Sequence, residues 1–189
     1  MAAILLMVCG MTAQANGNER EISLKTENSK TVVLEMKHIK SGTDISIWNE
    51  EGKLLYQDEV RGNSYARLFN LNQLEKGELT LEIENEESLE VMQINVSEEA
   101  AVLKKNDQQV YAKPVVKLAG DQLKVYFGEG HKCAEMKITD QFSDTVFEEN
   151  ISKDEQGLKR YDVSKLSEGK YNIQFTADGR SFYHTIIIK

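Results

Sequence analysis

LSEGKYNIQF, residues 166–175, decides how the chain folds. Nearly the same phrase stands earlier as LEKGELTLEI, residues 74–83. After Gly169, the apolar Tyr171, Ile173 and Phe175 alternate with Lys170, Asn172, Gln174 and Thr176. After Gly77, Leu79, Leu81 and Ile83 alternate with Glu78, Thr80, Glu82 and Glu84. A period of two is that of a strand with one face buried and one wet. The Leu-x-x-Gly lead-in reads as a corner. Leu74 and Leu166 plug the core there, and the glycine takes a backbone angle that a side chain resists.

The match extends in both directions. Ile45-Ser46-Ile47-Trp48-Asn49 lies over Met136-Lys137-Ile138-Thr139-Asp140, Leu55-Tyr56 over Val146-Phe147, and Ile94 and Val96 over Ile186 and Ile188. A repeat of this length is too long for a solenoid unit and reads as two copies of one small domain. The first copy predicts strands at 21–25, 31–37, 44–48, 54–60, 66–70, 78–84 and 89–96. The second predicts them at 115–118, 122–127, 135–139, 145–151, 158–162, 170–176 and 182–188. Turn signals at Glu51-Gly52, Arg61-Gly62-Asn63, Gly128-Glu129-Gly130 and Asp178-Gly179 separate them. The expected fold is all-β: two tandem immunoglobulin-like antiparallel β-sandwiches of about seven strands each. Their expected limits are 16–97 and 114–189. Residues 98–113 are read as a polar linker running into Pro114, the single proline, with a helical turn or an extension of the last strand over 98–105 as the alternative.

Ala2 to Ala13 is uncharged and apolar, and Ala13-Gln14-Ala15 has the small-x-small pattern of a signal-peptidase site, so residues 1–15 are read as a cleaved secretory signal. Acylation at Cys9 is the less favoured alternative. No other stretch is long and apolar enough to span a bilayer. The mature chain then keeps Cys133 alone, so no internal disulfide is expected and core burial must hold the domains. The net charge is −8 with no clustered Lys or Arg in the sequence. That balance argues against nucleic acid and anionic lipid as partners.

Chemistry-bearing clusters are sparse. His38, His131 and His184 fall in different parts of the map, none in a Gly-x-Ser-x-Gly context, and no catalytic residue is assigned. His38 and His184 read as solvent-facing strand residues. His131 and Cys133, in GEGHKC, supply half of a soft-metal site at most, and a thiol beside Lys132 would have a lowered pKa. The favoured reading is a glycine-rich loop with Cys133 buried as a small apolar residue. No metal site and no cofactor is assigned. The acidic run Glu82, Glu84, Glu86, Glu87 and Glu90 lacks a calcium-loop spacing and reads as a solvated, edge-guarding sheet face. Trp48 takes the outward parity of its strand. With Tyr56 and Tyr65 it is the candidate interaction surface, for a sugar ring or for the neighbouring domain.

The pattern Ile-x-Ile-x-Asn/Asp, Gly-Lys-x-Leu, Leu-x-x-Leu-x-x-Gly-x-Tyr/Leu-x-Leu and Ile-x-Val resembles the C-terminal sorting domain of the Bacteroidetes type IX (Por) secretion system. It also resembles small secreted immunoglobulin-like domains of unknown function from the same phylum. Ile45, Gly52, Leu55, Leu74, Gly77 and Val96 carry it in the first copy, and Met136, Val146, Leu166, Gly169, Tyr171 and Ile188 in the second. The resemblance implies an immunoglobulin-like fold and export to the periplasm, cell surface or medium. The sequence reading is therefore a non-enzymatic exported binding or structural module with a protein or glycan partner at the cell envelope. The alternatives are a sorting or anchoring role for the C-terminal domain and, less favoured, a hydrolase or metal-dependent activity around His131 and Cys133.

Overall fold

The computed structural model describes residues 21–104, 107–128, 131–152 and 157–189. The expected leader, residues 1–15 with Cys9, lies outside the described residues. Sixteen strands are present and no α-helix among the described residues. In the first half these are β1 (Glu21–Asn28), β2 (Thr31–Lys37), β3 (Thr43–Asn49), β4 (Leu54–Val60), β5 (Ser64–Asn70), β6 (Gly77–Glu84) and β7 (Ser88–Val96), followed by two short strands, β8 (Ala101–Leu103) and β9 (Gln109–Ala112). In the second half they are β10 (Val115–Ala119), β11 (Gln122–Phe127), β12 (Cys133–Thr139), β13 (Thr145–Asn150), β14 (Gly157–Asp162), β15 (Gly169–Ala177) and β16 (Arg180–Ile188). The fourteen strands expected from alternation are all there, most with ends shifted by one to three residues.

The same strand order occurs twice. One sheet runs β1-β2-β5 and its counterpart β10-β11-β14; the other runs β4-β3-β6-β7 and its counterpart β13-β12-β15-β16. Every pairing is antiparallel. The inward residues of facing sheets make two cores. Val32, Leu34, Met36, Ile45, Ile47, Leu79, Leu81 and Ile83 centre the first. Leu123, Val125, Phe127, Met136, Ile138, Tyr171, Ile173 and Phe175 centre the second. Burying each such side chain contributes about 1.5–3 kcal/mol. The period-two pattern of β6 and β15 therefore fixes which face goes in, because a one-residue slip would expose the whole row.

The quoted phrase is built alike in both copies. Leu74 N donates to Leu71 O at 3.2 Å, and Leu166 N to Val163 O at 3.0 Å. Both leucines pack against the rim of their cores. Gly77 then takes φ +154° and Gly169 φ +156°, outside the usual range of L side chains. Hairpins β3–β4 and β12–β13 share a turn as well: the Asn49 side chain accepts from Lys53 N, and that of Asp140 from Phe142 N and Asp144 N.

Residues 98–113 do more than connect. β8 pairs with 94–96 of β7 and β9 with 88–91. Ala101 N donates to Ser29 O, and Thr26 Oγ1 to Ala101 O, so β8 also closes onto β1. The physical reason is the edge itself: β7 would otherwise leave a row of N–H and C=O groups unpaired.

Candidate functional site

The three residues of the expected interaction surface fall in two places. Trp48 stands on the outer face of the β3–β6 sheet, half-buried, with Nε1 donating to Ser46 Oγ at 2.9 Å. Beside it, Glu78, Thr80, Glu82 and Arg180 line a shallow depression. Tyr56 and Tyr65 lie on the opposite, inward side, where β4 and β5 face each other at the open seam of the first sandwich. Their hydroxyl oxygens lie 2.8 Å apart and each is within hydrogen-bond distance of Asp58 Oδ2, at 2.9 Å for Tyr56 and 3.2 Å for Tyr65, so the two protons are shared among three contacts. The Tyr56 ring meets Phe69 edge-on at 5.0 Å, and Arg67 lies over it at 5.3 Å. The hydrogen bond from Tyr56 holds the Asp58 carboxyl below the usual carboxylate range. Burial, then the bond to Tyr56, pushes the Tyr65 hydroxyl up. The second sandwich has the same seam: Phe147 meets Tyr161 edge-on at 5.5 Å, and Glu149 accepts from Lys159 and Tyr161.

His131 and Cys133 are both buried. His131 Nδ1 accepts from Cys133 N at 3.2 Å, and its ring packs on Phe127 at 5.1 Å. Burial pushes the Cys133 thiol up to about 11, the reverse of the lowered pKa that Lys132 alone would suggest. Lys132 is turned elsewhere, pairing with Asp178 and lying over the Tyr111 ring. Among the described residues, no three of His, Cys, Asp and Glu are grouped to hold a metal ion.

Aromatic rings and charged side chains meet at the junction of the two halves. Tyr111 of β9 is 4% exposed and belongs to the second core together with Leu89 and Val91 of β7. Its ring meets Phe182 at 6.5 Å, with Lys132 Nζ at 4.6 Å and Arg180 Cζ at 5.5 Å from its centroid. Two cations on one ring supply cation–π attraction in a partly desolvated setting. Lys113, its side chain 12% exposed, donates to Asn85 O at 2.7 Å, pairs with Glu84, and lies 5.5 Å from the Phe182 centroid. Arg180 pairs with Glu82. Glu82 and Glu84 are thus engaged across the junction, a correction to the solvated face expected of them.

A cleft of about 940 Å³ opens beside this junction, between the β6–β7 turn, β10 and β16. Asp44, Glu84, Glu86 and Glu87 face Lys113, Lys117 and His184 across it. Burial, then Glu59 and Glu84, raises the Asp44 carboxyl. Burial, then Lys113, lowers the pKa of His184, which is half-buried against Phe175 and not the solvent-facing residue expected. No nucleophile hydrogen-bonded to a base occurs here among the described residues. The cleft offers carboxylates, backbone and apolar side chains, which are means of binding. Sequence reasoning missed Tyr111, Lys113 and Arg180. The alternation of Gln109-Val110-Tyr111-Ala112 inside the presumed linker was the available signal.

Residues 118–189 match the family model of the secretion system C-terminal sorting domain. The matched span runs from the end of β10 through β16 and covers the second sandwich. None of the curated proteins matches the chain. Among solved structures, the chain is similar to a biofilm associated protein, BSP domain, at 13% identity over 89% of this chain and 29% of that chain, TM-score 0.31. It is also similar to a two-domain fibronectin type-III segment of chicken tenascin, at 8% identity over 89% of this chain and 97% of that chain, TM-score 0.27. No helix among the described residues is long and apolar enough to cross a membrane. A sorting tail marks an exported protein.

Proposed function

We propose that the chain is a non-enzymatic exported module whose first sandwich, residues 16–97 with its strand-forming extension, binds or supports an envelope partner, and whose second sandwich, residues 114–189, directs sorting. The match of residues 118–189 to the sorting-domain model carries the reading. The junction supports it. Tyr111 and Arg180 lock the two sandwiches by side-chain packing rather than by a flexible tether, so a passenger and its address would travel as one body. The leader, residues 1–15, is part of this proposal, with first export across the inner membrane.

Two experiments test it separately. The whole chain fused behind a passenger should bring that passenger to the surface of cells that carry the type IX system; retention in the periplasm removes the sorting role. Full-length protein should recover a partner from envelope extracts or bind a glycan array. Blank results in both remove the binding role.

A further inference from the structure

We propose that the open edge of β16 is an acceptor site for an extended polypeptide strand, with the cleft beside it as the seat of that strand. The inference goes beyond the binding role given to the first sandwich and adds a binding surface on the second.

The molecule shows what such an edge takes. Gly77 pairs with Val96 and Gly169 with Ile188, so β7 and β16 are counterparts in register. In the first copy, β7 is covered by β8 at 94–96 and by β9 at 88–91. The corresponding positions, 186–188 and 180–183, have no strand on them among the described residues. β16 is also without the devices that keep an edge from pairing. Between Arg180 and Lys189 it reads SFYHTIII, with no Lys, Glu, Asp or Pro. Tyr183 is 67% and Ile187 61% exposed, while Phe182 and Ile186 point into the core.

The occupant's chemistry can be read from both copies. A strand antiparallel to β16 would begin near Ile188 and end near Arg180. The chain's own covering segment has apolar Ala101-Val102-Leu103 first and QVYAK last, with Lys113 on Glu84. At the Arg180 end of β16, the cleft presents Asp44 and Glu86, neither in an ion pair among the described residues, next to Ser181 and His184. The fitting occupant is therefore an extended peptide with apolar residues at its start and a lysine or arginine at its end. Main-chain hydrogen bonds would supply affinity, and the terminal cation specificity.

The probe is a synthetic peptide with the sequence of residues 101–113, offered to the full-length protein. Expected is saturable binding that shifts the backbone amide signals of 181–188. It should be lost with a backbone N-methylated peptide and weakened about tenfold by Tyr183→Lys with Ile187→Lys, a pair of exposed positions that leaves the unfolding midpoint in place. Glu86→Gln should weaken it by a few fold. No saturable binding, equal binding of the N-methylated peptide, or shifts confined elsewhere would overturn the proposal. So would a concentration-dependent dimer that protects the same amides, since the occupant would then be a second copy. An envelope partner that still binds the double-lysine variant leaves the module reading standing and removes the edge from it.

Discussion

Arg180 Nη1 donates to Glu82 Oε1 at 2.5 Å across 98 positions of sequence, joining β16 of the second sandwich to β6 of the first. The Glu82 side chain is 17% exposed and that of Arg180 32%, so the pair is neither a surface bridge nor fully buried. Glu82→Gln should cost on the order of 1 kcal/mol, at the top of the range of exposed pairs and below that of buried ones. A double-mutant cycle with Arg180→Gln, read by urea unfolding, should return a favourable coupling. A coupling of zero would mean that the sandwiches are held without this pair.

Tyr111 carries more of the junction. Its ring is buried among Phe182, Lys132 and Arg180. Tyr111→Ala should destabilise the second sandwich by about 3 kcal/mol. Tyr111→Phe keeps the ring and both cations and loses only the hydroxyl donated to Gln109, so its cost should be about 1 kcal/mol. Equal losses for the two variants, measured by denaturant titration, would place the energy in the hydroxyl instead of the packing.

His184 gives the junction a pH response. Its folded-state pKa lies below the ordinary histidine value of about 6.5 because burial disfavours the cation and Lys113 repels it, outweighing the Pro114 carbonyl and Glu86. The unfolded chain takes up the proton first as pH falls. The stabilising contribution is therefore complete above about 6.5 and is lost as pH falls through the folded pKa. The urea midpoint should drop as pH falls below about 6.5, and His184→Gln should flatten that slope. The carboxylates held low, Asp58, Glu149 and Asp162, add their own loss in a more acidic window. An unchanged slope in His184→Gln would assign the response to other groups.

Cys133 should be inert in the folded protein. It is 1% exposed, and burial pushes its thiol up to about 11, so almost no thiolate is presented at neutral pH. A disulfide-exchange reagent should label it only as fast as the protein opens, and immediately in denaturant. Rapid labelling of native protein would contradict its place beneath the sheet.

Asp58 and its two tyrosines close the seam of the first sandwich. Tyr56→Phe removes the largest influence on the Asp58 carboxyl, which should titrate nearer its ordinary value, as carboxyl carbon chemical shifts would show. Stability should fall slightly, since the contact is open to water. A fully retained shift would make Tyr65 the controlling donor.

Much of this architecture is written locally. Alternation after Gly77 and Gly169 determined which faces are buried, because side-chain direction in a strand depends on parity alone. The recurrence of Leu74 and Leu166 with their glycines determined that the same strand order would appear twice. Trp48 was correctly read as outward by parity. Its separation from Tyr56 and Tyr65 was less visible, since Ile47 pairs with Tyr56 while a register shift puts Leu54 opposite Trp48.

Other features were decided only in three dimensions. Residues 98–113 look polar because β8 and β9 are short and half their side chains are wet; what makes them strands is the unpaired edge of β7 just before them, a partner that alternation within the segment does not announce. Glu82 and Glu84 looked solvated because their partners, Arg180 and Lys113, arrive from elsewhere in the chain. A local pattern can say which side of a strand avoids water. Which charges meet, and which edge remains open, depends on how two finished sandwiches pack against each other.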